Sequence, residues 1–142
     1  MRVEYYDYLP EAAKQIRVSV FMEEQGFLEE FDELDNLATH LVLFDDTIPV
    51  ATCRLWQSEH GWHVGRLAVI KCYRGQGVGQ IMLQKAEQLV ISRGGHSIYL
   101  HAQCRAKTFY EKCGYQAFGN IDYDEGVEHV HMVKTPDKKS GY

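Results

Sequence analysis

The chain has 142 residues, of which 45% are hydrophobic and 25% charged, and it carries a formal net charge of −5 at pH 7. That length suits one domain, residues 1–142, with a core that needs no disulfide or metal staple. The acidic balance disfavours a general nucleic-acid binder, and no apolar run approaches the roughly 18 residues that a membrane span requires.

The first ten residues, M-R-V-E-Y-Y-D-Y-L-P, are polar and unlike a signal peptide. Cys53, Cys72, Cys104 and Cys113 form no C-x-x-C pair. We therefore expect reduced thiols, a cytoplasmic location, no bound metal, and neither a nucleic acid nor a membrane as partner.

Residues 2–6 predict a strand, and Pro10 fits the first turn of a helix running to about Met22 with Ala13, Ile16, Val20 and Phe21 inward. The acidic stretch from Glu23 to Asp35 predicts a short amphipathic helix or a loop, with most of its charges solvated. Strands at 38–44, 48–56 and 62–70, joined by turns at 45–46 and 58–61, predict an antiparallel meander. A helix follows, with Val78, Ile81, Met82, Ala86 and Leu89 at helical spacing and Gly94-Gly95 as its stop. A strand at 97–101, a helix at 105–112 and strands at 115–118 and 129–134 complete an α/β fold of mixed α+β layers. The tail after Pro136 is polar and expected to be loose.

The segment R-L-A-V-I-K-C-Y-R-G-Q-G-V-G-Q, from Arg66 to Gln80, carries the most chemistry. A strand ends, a glycine turn follows, and a helix begins at once. Such a helix start offers unpaired N–H groups and the positive end of its dipole, and glycines let a bulky anion approach that backbone. Arg74 adds a fixed charge suited to phosphate oxygens. Neither dinucleotide spacing nor a P-loop fits, because the third glycine of G-x-G-x-x-G would fall at Gln80 and no G-K-[ST] occurs.

The turn resembles the acetyl-CoA-binding motif [QR]-x-x-G-x-[GA] of the GNAT N-acetyltransferases, with Arg74, Gly77 and Gly79 in place and L-A-V and Tyr73 before them. Residues 103–115, Q-C-R-A-K-T-F-Y-E-K-C-G-Y, are similar to the later signature of that family, N-x-x-A-x-x-[FL]-Y-x-x-x-G-[FY], with Gln103 where asparagine is common. The R-V-S-V-F-M-E-E-Q-G run at 17–26 resembles a branch carrying V-F-x-x-E-Q-G, as do Asp32, Asp35, His40 and a final strand with His129, Met132 and Lys134.

The resemblance implies a mostly antiparallel sheet that splays between the strands at 62–70 and 97–101 and is flanked by helices. It implies acetyl-CoA as acyl donor, held by Leu67, Ala68, Val69, Arg74, Gly75, Gln76, Gly77, Val78, Gly79, Gln80, Gln103, Ala106 and Tyr110. The partner is then a primary amine of a small molecule or peptide, with a homodimer as one assembly to consider. Tyr110 is the expected acid for the departing thiolate; its alternative role is a core ring whose hydroxyl caps a carbonyl.

The base is less defined, because Gly65 stands where many relatives have glutamate. Glu24, Asp35, His40, His101 and His129 are the candidates, with Glu24, Asp35, His40 and His129 also expected at the acceptor. His129 and His131 share one side of a strand but have no carboxylate at ligand spacing, and His60 and His63 read as surface residues. Cys104, near a helix start, suits a thiolate better than Cys113, but the resemblance favours direct transfer over an acyl-cysteine. Two other readings are a non-catalytic acyl-CoA-binding module and an enzyme like the acyl-homoserine lactone synthases.

Overall fold

A computed structural model describes residues 1–28 and 31–135. Its strands are β1 (Arg2–Tyr6), β2 (Thr39–Asp45), β3 (Ile48–Ser58), β4 (Gly61–Val69), β5 (Ile98–Gln103), β6 (Gln116–Asp124) and β7 (Val127–Lys134). Its helices are α1 (Glu11–Arg17), α2 (Val78–Ser92) and α3 (Lys107–Lys112). The strands form one sheet in the order β1-β2-β3-β4-β5-β7-β6, in which only β4 and β5 run parallel. The tail expected to be loose lies outside the described residues.

The middle of the sheet is buried on both faces. Leu41, Leu43, Cys53, Leu55 and Val64 pack with Val78, Met82, Ala86 and Val90 of α2. Val42 and Ala68 pack on the other face with Ala13, Ile16, Val20 and Phe21. Strands covered on both sides lose the alternation of a half-exposed strand, which is why β2 and β3 read as near-continuous apolar runs.

Two departures from the expected elements shape the site. The first helix does not stop at Met22: beyond Arg17 it continues as a π-helical turn over Val18–Glu24, with bonds such as Gln25 N–H to the Val20 carbonyl at 3.2 Å. The wider turn swings Glu24 and Gln25 toward the end of β4. β6 is also longer than the strand expected at 115–118, because Gly119, at φ 76°, makes a bulge and the strand continues to Asp124. Phe118 pairs with His131 and Asp122 with His129, so residues 119–121 stand opposite Val130 alone.

The acidic segment is less solvated than its composition suggests. Asp32 caps a 3-10 turn, Glu33–Asn36, through a reciprocal pair of bonds with Asp35, and Asp35 is 5% exposed.

Between β4 and β5 the ladder consists of two pairs, Trp62 with Ile98 and His63 with Tyr99. A bulge at Arg66, whose φ is 53°, then bends β4 away. From Val64 onward the two parallel strands diverge, and the gap opens toward the glycine turn.

Candidate functional site

The chain leaves β4 through a 3-10 turn at Lys71–Tyr73 and enters α2 at Gly77, its N-cap, which has φ 78°. Gly75 also has a positive φ, 77°, a conformation that costs a side-chain-bearing residue about 1–2 kcal/mol. A Cβ at either glycine would meet no atom within 4 Å, so both border open space. No side chain caps α2, which leaves the first N–H groups of the helix directed at that space. Gly79 serves another purpose: a Cβ there would stand 3.1 Å from the Phe109 ring, so its absence lets α2 and α3 meet. The resulting groove is lined by Leu67, Ala68, Val69, Arg74, Val78 and Tyr110 among others.

Arg74 is held in place rather than free. Both terminal nitrogens donate to the Glu24 carboxylate, at 2.8 and 2.7 Å, and Nε donates to the Val69 carbonyl at 2.9 Å. The Arg74 hydrogen bond holds the Glu24 carboxyl below its usual range. Glu24, expected at the acceptor as a base, therefore sits in an ion pair at the glycine turn. The π-helical turn put it there. Gln76 donates to the Cys72 carbonyl at 3.2 Å, and Gln80 is exposed on the first turn of α2.

A second cavity adjoins this groove and shares Gln25, Leu67, Ala106 and Tyr110 with it. Its farther wall holds His101, Gln103, Arg105 and His129. Tyr110 thus stands where the two spaces join, and its hydroxyl has no hydrogen-bond partner among the described residues. The alternative in which that hydroxyl caps a carbonyl is not the one adopted. Burial, with Cys53 and Cys113 nearby, pushes the phenol above its ordinary value, which keeps it protonated and able to donate. Gln103 donates to the Gln25 side chain at 2.8 Å and accepts from Arg105 at 2.6 Å.

His129 is 6% exposed, and its Nδ1 lies 2.8 Å from the Val127 carbonyl. A carbonyl only accepts, so Nδ1 carries the proton and Nε2 of the neutral ring keeps its lone pair. The other expected acceptor residues belong to a structural network. Asp35 takes Arg17 in a bidentate pair at 2.7 and 3.1 Å and also Arg54 at 3.0 Å. His40, 1% exposed, meets the Asp35 carbonyl through Nε2 at 2.9 Å. Neither lines the cavities described here. Asp35, through Arg17 and Arg54 on its carboxylate and His40 on its carbonyl, ties α1 to β2 and β3.

The departure at Gly65 now has a physical reason. A Cβ there would come within 3.1 Å of the Trp56 ring, and Trp56 stacks on His63 at 5.3 Å. The indole fills the space that a side chain at position 65 would enter, and its stacking packs the His63 ring, which was expected at the surface. Burial raises the Cys53 thiol to about 12 and pushes Cys113 upward, which removes both as thiolate nucleophiles at neutral pH.

Sequence reasoning missed Gln25 and Arg66, which line the second cavity, and Asp122. The Asp122 carboxylate lies 2.7 Å from His101 Nε2 and 3.9 Å from His131 Nε2. No sequence spacing announces that grouping, because the β6 bulge creates it.

Residues 6–136 match the model of the acetyltransferase (GNAT) domain. An acetyltransferase candidate of Bacillus subtilis strain 168 is 35% identical over 130 residues, covering 88% of this chain and 88% of its own. The crystal structure of an N-acetyltransferase candidate from Lactobacillus plantarum is 32% identical, has a TM-score of 0.86, and covers 94% of this chain and 97% of its own. An aminoglycoside 6'-N-acetyltransferase complexed with coenzyme A shares the fold at 20% identity, with a TM-score of 0.74 over 96% of this chain and 100% of its own.

Proposed function

This chain belongs to the GNAT acetyltransferase family, and from that premise we propose that it moves an acetyl group from acetyl-CoA to a primary amine of a small molecule or peptide by direct attack on the thioester. One observation carries the reading: the groove at the glycine turn and the cavity holding His129 meet at Tyr110.

The backbone N–H groups from Gly75 to Gln80 would hold the pyrophosphate of the cofactor, and Gly75 and Gly77 leave it room. Leu67, Ala68, Val69 and Ala106, which line the groove, would hold the pantetheine arm in the gap between β4 and β5. The coenzyme A complex of the aminoglycoside enzyme with this fold supports a donor of that class. When bound, acetyl-CoA supplies the activated acyl carbon.

The acceptor amine enters beside His129, within the wall held by Gln25, Gln103 and Arg105. Its nitrogen attacks the thioester carbon, and His129 Nε2 takes the proton that the nitrogen gives up. As the C–S bond breaks, the Tyr110 hydroxyl protonates the sulfur; the tyrosinate then takes a proton from solvent while His129 releases the one it took. Alignment of the two reactants lowers the barrier by about 7–11 kcal/mol in favourable cases, so a modest base suffices.

Calorimetric titration with acetyl-CoA, beside a Gly77→Trp variant, tests the donor site. Saturable binding by the wild type and its loss in a variant with an unchanged circular dichroism spectrum is the expected result. An amine panel read by mass spectrometry then tests transfer. Saturable binding with no acylated product across the panel would favour the non-catalytic module instead. Product formed only from a carrier-linked acyl donor and S-adenosylmethionine would favour the lactone-synthase reading.

A further inference from the structure

We propose that His101, Asp122 and His131 form a binding site for a divalent transition-metal ion of the zinc, cobalt or nickel class. The site goes beyond acyl transfer and uses neither Tyr110 nor His129.

Three strands build it. His101 on β5 and His131 on β7 are cross-strand partners, and their rings stack with centroids 4.4 Å apart at 19°. Asp122 comes from β6, delivered by the bulge that begins at Gly119. Nε2 of one ring faces one carboxylate oxygen at 2.7 Å, and Nε2 of the other faces the second oxygen at 3.9 Å. The three ligand atoms lie within 4.8 Å of one another. Bonds of about 2.0–2.2 Å in tetrahedral geometry separate ligand atoms by about 3.4 Å, so rotamer adjustments suffice to close the set on an ion.

The donor set selects the ion. Two imidazoles and one carboxylate suit zinc, cobalt, nickel or copper, whereas magnesium and calcium prefer oxygen ligands alone. Three protein ligands leave a position open, and these side chains are exposed, so an ion can enter from solvent. The stacking of His131 on His101 follows from their cross-strand pairing, but an exposed histidine–carboxylate pair contributes little by itself and does not explain why Asp122 meets both rings. A shared cation accounts for the whole arrangement. Rigid strands fix the separations better than loops do.

The test uses the untagged full chain, stripped with chelator, titrated with zinc chloride by calorimetry and with cobalt chloride by visible absorption. One ion per chain is expected, with cobalt bands appearing at one equivalent. Asp122→Asn and His131→Ala should each weaken binding by at least about 10-fold. His60→Ala should bind as the wild type does. Absence of saturable binding by the folded wild type overturns the proposal, as does one-to-one binding that persists unchanged in the Asp122→Asn/His131→Ala double variant. Acetyl-CoA titration of the same samples separates failure of this site from failure of the acyltransferase reading.

Discussion

Tyr110 and His129 divide the proton traffic in the proposed transfer, and each can be removed without emptying the core. Tyr110→Phe keeps the ring and deletes a hydroxyl that bonds to no described residue, so packing should be nearly unchanged. We expect kcat to fall by about 100-fold while acetyl-CoA affinity stays within about 2-fold, the pattern of a lost general acid. Steady-state kinetics beside calorimetry measure the two quantities. Equal losses in kcat and donor affinity would instead make the phenol a binding group. His129→Gln retains an amide that can donate to the Val127 carbonyl. It should cost about 100-fold or more in kcat with amines that are protonated at neutral pH. Amines of low pKa already present a free lone pair, so the deficit should shrink with them. A deficit that is constant across amine pKa would mean that the ring only shapes the cavity.

At the scale of elements, the π-helical end of the first helix would govern how the glycine turn meets the phosphates of the proposed donor. Glu24 on that turn holds the Arg74 guanidinium bidentately, and Arg74 is the fixed cation of the turn. A phosphate that recruits Arg74 must compete with this carboxylate. Glu24→Gln removes a half-exposed ion pair worth at most about 1 kcal/mol to stability. It should tighten CoA binding by up to about 5-fold at low salt, with a gain that shrinks as salt is added, since 1.4 kcal/mol is about tenfold in affinity. Weaker CoA binding in this variant would mean that the pair presents Arg74 to the phosphate rather than withholding it.

The same turn marks what the sequence could and could not disclose. The glycine signature is local: one backbone path, fixed by two positive-φ residues and a helix start, carries its chemistry. Reading it needed no knowledge of the remaining chain. Glu24 and Asp122 depend on a π-turn and a β-bulge, which shift side chains by a residue or more and leave hydrophobic periodicity nearly untouched. Asp35 and His40 were expected at the acceptor from a resemblance in sequence, which carries no information on burial. Their burial follows from Arg17 and Arg54, which reach them from two other elements. The Gly65 departure was visible in the sequence, but its cause was not, because Trp56 arrives from the neighbouring strand.

For the molecule as a whole, Asp35 is where the layers are fastened. Its carboxylate joins Arg17 of α1 to Arg54 of β3, and its backbone carbonyl holds His40 of β2. Burial by itself would raise this carboxyl, but the hydrogen bonds and charge of Arg17, the Asp32 backbone and the charge of Arg54 outweigh it and hold the pKa at about 2. The unfolded chain has an aspartate near its ordinary value of about 3.9. A depressed folded-state value stabilises the protein above the unfolded pKa, and the contribution is lost as pH falls through the folded one. A shift of this size contributes on the order of 2–3 kcal/mol at neutral pH. Asp35→Asn resembles the protonated acid, so it should lower stability at pH 7 by about that amount. The gap from wild type should then narrow between about pH 5 and pH 2, as the wild-type carboxyl takes up its proton. Urea melts across that range provide the measurement. A gap that stays constant through the window would mean that Asp35 acts by shape alone, and that the two arginines find other partners when its charge is removed.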